Sequence, residues 1–434
     1  MLFRCLNCRG KLQLLSQCRG YAEGIQGKPK LEPFVSINNV DYARDNYTNV
    51  TPKILSYLGR NLHREKYHPI SFVKRRIENY FYKNFIGRRG NPMFSMHDNL
   101  NPVVSVESNF DNLLIPADHV SRQKGDCYYI NKNYLLRAHT TAHQFDLIKM
   151  GLDHFIVTGD VYRRDEIDST HFPVFHQSDA VRLFTREQLA AVAGHEIEPF
   201  ELNGIENEEK QAQHTLEASK LIEKELKSTL LSLIFNIFGG EMPHRWVDVY
   251  FPFTHPSWEL EIEHNGTWME VLGCGVMRQD IIKRAGAGDR ICWAFGMGLE
   301  RLAMHLYKIP DIRLFWSKDS GFLSQFNVDD PNVNITYKPV SVYPQLTNDL
   351  SFWLPVDREY CSNDFYDLVR DIGGNIVEQI NLVDEFRHPK TGKVSHCYRI
   401  VYRHMEKTLT QEEVNEVHFK LRQAVVDVLN GAVR

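Results

Sequence analysis

The sequence has no long apolar run, few cysteines and no strong excess of charge. No hydrophobic stretch approaches the ~20 consecutive apolar residues that a membrane-spanning helix needs, so we expect a soluble protein with no membrane partner. The 434 residues include 8 cysteines, and the lone C-x-x-C of Cys5 and Cys8 has no second pair to complete a zinc site. Lys and Arg number 51 against 55 Asp and Glu, a formal net charge of -4. Any nucleic-acid partner must therefore be attracted by local basic patches rather than by bulk charge.

The first 22 residues contain no acidic side chain. Arg4, Arg9, Lys11 and Arg19 lie among leucines, a pattern typical of a mitochondrial presequence. The arginines interrupt the apolar core that a secretory signal would need. We therefore predict that residues 1–22 are a presequence and that the mature chain works in the mitochondrial matrix, where free thiols stay reduced.

The rest of the chain has the composition of a globular protein, with 43% hydrophobic and 24% charged residues, enough for two or three domains. Apolar periodicity predicts a helix over 68–85 and a long scaffolding helix over 206–238. The first helix has a basic opposite face, which either solvation or nucleic-acid contact would explain. Strands alternate with turns over 245–276, which favours an antiparallel sheet. The predicted fold class is α+β, with helices flanking that sheet.

The last part of the chain has the pattern of a separate domain. Around residues 327–339 the composition turns to Asp, Asn and Pro, as in a linker. Strand, helix, strand, strand and helix follow, over 350–354, 365–372, 375–382, 394–403 and from Thr410, an order that suits a ferredoxin-like domain. Basic residues gather in its second half, which indicates a phosphate-facing edge or, alternatively, an exposed basic strand. They are Arg387, Lys390, Lys393, Arg399 and Arg403.

The most informative stretch runs from residue 158 to 184. It predicts two strands joined by a charged loop, with Arg163 at the end of the first strand. His171, His176 and Gln177 follow along the second, and we expect all four side chains to face one concave surface. A guanidinium there could bind two phosphate oxygens at once. Taken alone, the stretch is more typical of a surface hairpin with solvated charges than of a site.

A second stretch, residues 292–304, favours a binding site over a surface hairpin. It reads as an apolar strand, a glycine-containing turn and the start of a helix, with Arg301 in the first turn. Together, YRRDE and GMGLERLAM resemble motifs 2 and 3 of the class II aminoacyl-tRNA synthetases. Four further stretches resemble the phenylalanyl-tRNA synthetases, specifically their single-chain mitochondrial form: residues 139–144, 175–177, 250–254 and 269–275.

The resemblance runs from about residue 33 to the end of the chain, with one visible departure. Ser178 and Asp179 stand where the family usually has Leu and Glu after the FHQ, so this carboxylate is one methylene shorter. The resemblance implies a class II catalytic domain with an N-terminal arm over residues 23–335 and an anticodon-binding, ferredoxin-like domain over 341–434. It also implies a monomer.

The resemblance also implies the chemistry of the site. ATP and Mg²⁺ would be the cofactors, and L-phenylalanine and tRNA-Phe the substrates. Arg163 would hold the α-phosphate and Arg301 the γ-phosphate, while Glu270 would bind metal or a polar group of the substrate; the metal ligands stay unassigned. Phe251 and Phe253, two apart on a predicted strand, would meet the phenyl ring.

The remaining residues implied to bind substrate are Phe295, as a wall, and His139, Thr140, Thr141, Ala142, His143, Gln144, Ser169, Thr170, His171, His176, Gln177, Ser178 and Asp179. Either Thr140 or Thr141 could cap a helix that starts there. The histidines lack an H-E-x-x-H pattern or a partnering carboxylate, so we expect them to form hydrogen bonds rather than bind a metal. The five basic residues of the C-terminal domain would contact tRNA.

Two alternatives stay open from the sequence. A related ligase could form an acyl adenylate and transfer it to something other than tRNA. A non-enzymatic RNA-binding paralogue would be expected to have lost an ATP-binding arginine, yet Arg163 and Arg301 are both present.

Overall fold

The computed structural model describes residues 32–264, 266–318, 320–339, 343–355, 359–404 and 406–434. The predicted presequence, with Cys5 and Cys8, lies outside the described residues. The chain divides into a small unit, Met1–Arg44, and a large unit, Asp45–Arg434. In the small unit, β1 (Phe34–Ile37) pairs antiparallel with β2 (Val40–Ala43). Asn38 and Asn39 between them have φ of 51° and 63°, the left-handed pair that a two-residue hairpin turn requires.

The large unit contains the other elements. Its strands are β3 (Ser95–His97), β4 (Val103–Ser105), β5 (Tyr129–Asn131), β6 (Tyr134–Leu136), β7 (His154–Tyr162), β8 (Val174–Phe184), β9 (His244–Asp248), β10 (Thr254–His264), β11 (Thr267–Met277), β12 (Ile291–Gly298), β13 (Leu346–Trp353), β14 (Val377–Arg387), β15 (Val394–Tyr402) and β16 (Ala432–Val433). Its helices are α1 (Pro52–Leu55), α2 (Pro69–Asn84), α3 (Val106–Asn109), α4 (Gln144–Lys149), α5 (Arg186–Ala193), α6 (Leu216–Phe238), α7 (Gln279–Arg284), α8 (Leu299–Tyr307), α9 (Ser320–Leu323), α10 (Ser362–Gly373) and α11 (Gln411–Asp427). Within the described ranges, none of the helices has the length and apolarity to cross a membrane.

The central feature of the large unit is a seven-stranded sheet of order β3-β7-β8-β12-β11-β10-β9. Its pairs are antiparallel, except that β3 runs parallel to β7. The predicted antiparallel sheet is therefore present. Strands β7 and β8 are buried along nearly their whole length, because elements pack on both faces of the sheet.

Helices α2, α6 and α8 pack together on one face of the sheet. There Phe295 stacks on Phe81 of α2, with ring centroids 6.0 Å apart. Helices α4 and α7 pack on the other face, where Val181 and Ala294 belong to their apolar cluster. Neighbouring residues of a strand thus point to opposite layers, and this alternation decides which side chains reach the site.

Helix α2 begins at Pro69, close to the predicted start at residue 68. Two cations of its predicted basic face are neither solvated nor free to contact a nucleic acid. Arg76 is buried and donates to the carbonyl oxygens of Pro331 and Ile237, at 2.6 Å each. Lys74 is buried and pairs with Asp98. These two cations therefore crosslink chain segments rather than face solvent or a nucleic acid.

Helix α6 begins at Leu216, so the predicted start at residue 206 was wrong. Thr215 caps the helix, since its hydroxyl accepts from the amide of Ala218 at 3.3 Å. The preceding residues form a turn in which Asn207 and Lys210 are bridged. The predicted end at residue 238 is confirmed, where Gly239 adopts a φ of 83°.

The C-terminal part forms a four-stranded antiparallel sheet of order β14-β15-β13-β16. Helices α10 and α11 cover one face, over a core that includes Phe352, Tyr398 and Leu421. At the start of α11, Thr410 and Glu413 form the reciprocal hydrogen bonds of a capping box. The other face of this sheet carries alternate side chains such as Trp353 and Arg399.

The loop after β7 contacts helix α10 of the C-terminal part. Arg164 donates to Asp367 at 2.7 Å and to Asp364 at 2.8 Å. Arg370 donates to the backbone carbonyls of Asp165 and Glu166. This loop is therefore shaped by a distant segment of the chain.

The buried stripe of α6 gives a stability prediction. Leu230 is 0% exposed, so Leu230→Ala leaves a cavity and should lower the free energy of unfolding by about 2–5 kcal/mol. Leu216 on the same helix is 45% exposed, and Leu216→Ala should change the free energy of unfolding by less than about 1 kcal/mol. Urea denaturation followed by circular dichroism measures both; equal losses would contradict the assigned packing.

Candidate active site

A cavity of about 450 Å³ opens on the sheet face opposite α2 and α6. The predicted residues that line it are His139, Thr141, Gln144, Arg163, Gln177, Asp179, Phe251, Phe253, Glu270 and Phe295. They come from separate parts of the chain: the segment before α4, the ends of β7 and β8, the turn before β10, and strands β11 and β12. The sheet brings them together.

Arg163 lies at the end of β7 with its guanidinium partly engaged. Its Nε donates to the carbonyl of Ala138 at 2.7 Å, and its Cζ lies 5.1 Å from the centre of the Phe175 ring. Burial lowers the pKa of Arg163, while neighbouring carboxylates, Asp179 and Glu270 among them, oppose that shift. An arginine stays protonated at neutral pH, so a positively charged guanidinium, fixed by its bond to the Ala138 carbonyl, borders the cavity.

Arg301 in the first turn of α8 contacts Glu270. Its Nη1 lies 3.1 Å from both the side-chain Oε2 and the backbone oxygen of Glu270. Glu270 and Arg163 line the same cavity, so the two arginines that the sequence places far apart lie at one site. This is the arrangement that binding of one polyphosphate by both would need.

Asp179 on β8 is buried, and burial raises the pKa of its carboxyl to about 6, against the opposing hydrogen bond from Thr141. The Thr141 hydroxyl donates to its Oδ2 at 2.5 Å. Gly296 is its cross-strand partner, and a Cβ at that position would lie 2.7 Å from Asp179 Oδ1. A residue larger than glycine at position 296 would displace the Asp179 carboxylate.

Two amide oxygens next to Asp179 lack a donor. The Oε1 atoms of Gln144 and Gln177 are buried and accept no hydrogen bond from the part of the protein that the structure describes. Both side chains border the cavity. With Asp179 they form a set of acceptors, which suits a ligand ammonium group with three N–H donors.

Phe251 and Phe253 form an aromatic wall. Their rings are stacked, with centroids 5.7 Å apart and planes at 8°. They share one side as predicted, but they lie in the turn before β10 rather than on a strand. Gly273 of β11 lies behind Phe251, and a Cβ there would come 2.9 Å from its Cζ. Phe295 borders the cavity, but its ring stacks on Phe81 in the opposite layer.

His176 and Ser178 point away from the cavity, so the expectation that His176 shares a surface with Gln177 was wrong. Adjacent strand residues alternate between faces. The His176 amide donates to Glu300 Oε2 at 2.8 Å and its Nδ1 lies 2.6 Å from Glu300 Oε1. Ser178 pairs with the hydroxyl of Thr158 at 3.0 Å.

Ser169, Thr170 and His171 lie on the loop between β7 and β8 and do not border the cavity. Strand β8 starts at Val174 rather than at His171. Asp168 organises the loop by accepting from the amides of Thr170 at 2.6 Å and His171 at 2.8 Å. The expected position of His171 along the second strand was therefore wrong.

The 139–144 segment also differs from its prediction. Residues Thr140–His143 form a short 3-10 turn whose N-cap is His139 and which has no side-chain cap, and the Thr141 hydroxyl donates to Asp179. Thr140 and Ala142 are buried outside the cavity lining, and His143 Nε2 lies 2.9 Å from Arg137 Nη1. Burial lowers the pKa of His139 and of His143 to about 3, so both rings are neutral at pH 7.

Glu259 is a site residue that the sequence analysis missed. It borders the cavity from β10, opposite Gly273, and burial followed by repulsion from Glu270 raises its pKa. The alternation of Glu259, Glu261 and Glu263 along one strand face was the available signal. Among the described residues no cluster of three metal-binding side chains is present. Glu259 and Glu270 are the carboxylates that could contact a divalent cation.

The five basic residues predicted to bind tRNA fall into two groups. Arg399 makes two hydrogen bonds of 2.8 Å to Asp349, and Arg403 lies 3.0 Å from Glu378. Arg387, Lys390 and Lys393 are exposed on and beside the β14–β15 hairpin, and they have no ion pair within the described ranges. The segment at the turn of this hairpin, residues 387–393, therefore carries the basic side chains that are not paired with a carboxylate.

Comparison with known proteins gives two matching family models. The model of the tRNA synthetases class II core domain (F) matches residues 54–195 and 210–326, and that of the ferredoxin-fold anticodon binding domain matches residues 341–434. The chain is 56% identical to the probable mitochondrial phenylalanine–tRNA ligase of Drosophila melanogaster, over 96% of both chains. This chain belongs to the phenylalanine–tRNA ligase family of class II tRNA synthetases.

Other members of the phenylalanine–tRNA ligase family are similar over most of their length. The mitochondrial enzyme of Mus musculus is 53% identical, over 93% of this chain and 89% of its own. That of Saccharomyces cerevisiae is 37% identical, over 88% of this chain and 91% of its own. The predicted fold class, an α+β class II core followed by a ferredoxin-like domain, is confirmed.

The hydrogen bond from Thr141 gives a prediction about the Asp179 carboxyl. This bond lowers the pKa of Asp179, so Thr141→Val should raise that pKa by about one unit. Carbon NMR of protein labelled at the aspartate carboxyl carbons follows the titration, with Asp179→Asn to assign the signal. Ser178→Ala, next along the strand but in the opposite layer, should leave the titration in place; an equal shift would contradict the contact.

Proposed function

We propose that this protein activates L-phenylalanine with ATP and transfers the phenylalanyl group to tRNA-Phe in the mitochondrial matrix. Its membership of the phenylalanine–tRNA ligase family supports the reaction. One observation carries the assignment to this cavity: Arg163 lines it together with Glu270, the partner of Arg301, and with the wall of Phe251 and Phe253.

In this reaction the cavity orients the amino acid. The ammonium group donates to the Asp179 carboxylate and to the free amide oxygens of Gln144 and Gln177. The phenyl ring lies against Phe251 and Phe253, where aromatic contacts add about 0.5–1.5 kcal/mol each beyond the burial of area. His139 is neutral and Thr141 is engaged, so both hold the shape of the pocket without adding charge.

The first chemical step joins the phenylalanine carboxylate to ATP. A carboxylate oxygen attacks the α-phosphorus, the bond to the β-phosphate oxygen breaks, and pyrophosphate leaves. Because the carboxylate is already ionised at neutral pH, no general base is required. Arg163 binds the α-phosphate and Arg301 the γ-phosphate, so the protein contributes position and fixed positive charge.

A divalent cation, Mg²⁺ in this proposal, would be held by Glu259 and Glu270 together with phosphate oxygens, and would neutralise charge on the departing pyrophosphate. Burial, followed by repulsion from Glu270, raises the pKa of Glu259, and a bound cation would relieve that repulsion. Arg301 occupies part of that role when it contacts Glu270.

In the second step a ribose hydroxyl at the 3′ end of tRNA attacks the carbonyl carbon of the adenylate, and AMP leaves. The ester bond to tRNA replaces the mixed anhydride. The C-terminal domain, residues 341–434, binds the anticodon end through Arg387, Lys390 and Lys393, with Arg399 and Arg403 available if their carboxylate partners release them. Residues 1–22 act as the presequence, residues 23–335 form the catalytic domain, and the enzyme works as a monomer.

Substitution of Arg163 tests the assignment. Arg163→Ala removes the guanidinium that holds the α-phosphate and should lower phenylalanine-dependent ATP–pyrophosphate exchange by at least about 100-fold. Arg163→Lys keeps the charge but loses the fork and should recover only a small part. Arg186→Ala, on the exposed side of α5, is the control. Exchange by Arg163→Ala within a few fold of wild type would sink the assigned role.

The raised pKa of Asp179 gives a pH dependence. Below about pH 6 the free carboxyl is protonated and no longer attracts the substrate ammonium, so kcat/KM for phenylalanine in exchange should fall about tenfold per pH unit. Asp179→Asn should lower kcat/KM at pH 8 by roughly 10–100-fold and abolish this acid limb. An acid limb that persists in Asp179→Asn would assign it to another group.

A further inference from the structure

A buried cation that the proposed reaction does not use lies next to the ammonium site, the set of acceptors formed by Asp179, Gln144 and Gln177. Arg137 is 2% exposed, and its charge is balanced by Asp160, whose Oδ1 lies 2.6 Å from its Nη2. Burying a charge is costly unless pairing and hydrogen bonds compensate for the lost water. The contacts of this guanidinium therefore indicate what it does.

The Arg137 guanidinium joins three segments of the chain. Its Nε donates to the backbone oxygen of Asp160 at 2.6 Å. Its Nη1 donates to the Leu100 carbonyl at 3.3 Å and to His143 Nε2 at 2.9 Å. Because arginine can only donate, the His143 ring must accept, which agrees with the neutral state that burial imposes on it by lowering its pKa to about 3. The planar guanidinium thus links β7 to the turn before α4.

The edge of β7 explains why an arginine is suited to this position. In the described part of the chain, β3 pairs with β7 only from Phe155 to Val157. Beyond that point the Arg137 backbone oxygen accepts from the amide of Tyr162 at 2.9 Å, and its side chain takes the Asp160 carbonyl. Arg137 therefore satisfies backbone groups of β7 that would otherwise need a neighbouring strand.

Gly159 shows which side of the sheet the guanidinium occupies. Gly159 is the cross-strand partner of Gln177, whose side chain borders the cavity, and residues directly opposite each other share a face. A Cβ on Gly159 would overlap the Arg137 guanidinium, at 2.8 Å from its Cζ. The guanidinium therefore fills the space of a missing side chain on the cavity side, next to Gln177.

The turn that Arg137 holds carries two residues of the cavity wall. His143 is the last residue of this turn, Thr140–His143. Within the turn, the Thr141 hydroxyl donates to Asp179 Oδ2 at 2.5 Å. The residue after the turn is Gln144, whose buried Oε1 has no donor among the described residues. A shift of the turn relative to β7 would move both of these groups away from the acceptors on β8.

Arg137 also contributes positive charge to the site. Burial raises the pKa of Asp179 to about 6, and the hydrogen bond from Thr141, then the charges of Arg163 and Arg137, act in the opposite direction. His139 borders the same space but is neutral, because burial lowers its pKa to about 3. The two arginines are therefore the cations that favour the carboxylate form of Asp179.

We propose that Arg137 is a positioning residue of the ammonium site, which fixes Thr141 and Gln144 opposite Gln177 by joining their turn to β7. His143, which was expected to bind substrate, acts through Arg137 instead. This inference rests on the proposed function, because the ammonium group is that of phenylalanine. It gives a role to a buried ion pair that the sequence analysis did not single out.

The first test separates the two substrates of amino-acid activation. Arg137→Gln removes the link between the turn and β7 and should raise KM for phenylalanine in ATP–pyrophosphate exchange by about 10–100-fold. KM for ATP should change by less than about threefold. Lower stability alone would reduce the folded fraction, and hence the rate, without changing KM for phenylalanine. An unchanged KM for phenylalanine would overturn the proposed role.

Arg182→Gln is the matched control. Arg182 lies on β8, its side chain is 12% exposed, and it pairs with Glu225 of α6 in the opposite layer. Its loss breaks another largely buried ion pair of the same sheet, but KM for phenylalanine should stay at the wild-type value. Equal increases of this KM in Arg137→Gln and Arg182→Gln would mean that any broken ion pair disturbs the site, and the proposal would fail.

The pH dependence of kcat/KM for phenylalanine tests the charge of Arg137 separately from its hydrogen bonds. Because this cation lowers the pKa of Asp179, Arg137→Gln should raise that pKa and move the acid limb to higher pH by about one unit. Arg137→Lys keeps the charge but cannot bond to both segments, so the acid limb should stay in place while KM at pH 8 still rises. An acid limb that does not move in Arg137→Gln would overturn the role of the charge.

Gly159→Ala displaces the guanidinium without removing it. The added methyl group overlaps Arg137, so KM for phenylalanine should rise in this variant as well. In the double variant Arg137→Gln/Gly159→Ala the methyl group no longer meets the guanidinium and should add little to the effect of Arg137→Gln alone. Effects that multiply independently would contradict the contact. Urea midpoints report folding, and Arg137→Lys and Gly159→Ala carry the KM test if Arg137→Gln does not fold.

These outcomes are separable from failure of the proposed function. If wild type shows no phenylalanine-dependent exchange, the proposed function falls. If wild type shows exchange and Arg137→Gln has the same KM for phenylalanine, the proposed function stands and only the positioning role of Arg137 falls.

Discussion

The pairing of β8 with β12 is the constraint on which the site depends. It runs antiparallel from Ile291 opposite Phe184 to Gly298 opposite Gln177, at the centre of the seven-stranded sheet. Glu300, just past the end of β12, fixes the pair by accepting from both the backbone and the ring of His176. A one-residue slip would turn the Asp179 side chain into the layer of α2 and α6, so this register keeps its carboxylate at the cavity.

The sequence was most informative where the signal is local. Strand alternation and the glycine-containing turn predicted β7, β8, β12 and the start of α8. Arg163 was singled out by its place at a strand end, whereas the role of Arg301 was implied by the resemblance to the class II motifs. Side-chain direction was the weaker part, since His176 and Gln177 are neighbours and only one can face the cavity. Phe295 borders the cavity as predicted, but its ring also packs into the layer of α2 against Phe81, which the sequence did not indicate.

Residues with distant partners could not be interpreted from the sequence alone. Arg399 looked free to meet a phosphate, but Asp349, 50 residues earlier in the chain, binds it across the sheet. Lys74 and Arg76 looked like an exposed basic face, but they bind a carboxylate and backbone carbonyls that only the fold brings near. Whether a cation is free to bind RNA can be judged only when its neighbours are known. Lys390 in the hairpin has no ion pair within the described ranges, in contrast to Arg399.

The contact between helix α10 and the loop after β7 has a consequence for dissecting this protein. Arg370 satisfies backbone carbonyls of Asp165 and Glu166, about 200 residues earlier in the chain, and Arg164 rests on two aspartates of the same helix. A fragment ending before α10 would remove both aspartate partners of Arg164, leaving its bond to the Lys124 carbonyl, and the donor to the two carbonyls, immediately beside Arg163. Weak amino-acid activation by such a truncated protein would then reflect a misfolded loop rather than loss of tRNA binding. Truncation between the catalytic and C-terminal parts therefore cannot separate their functions.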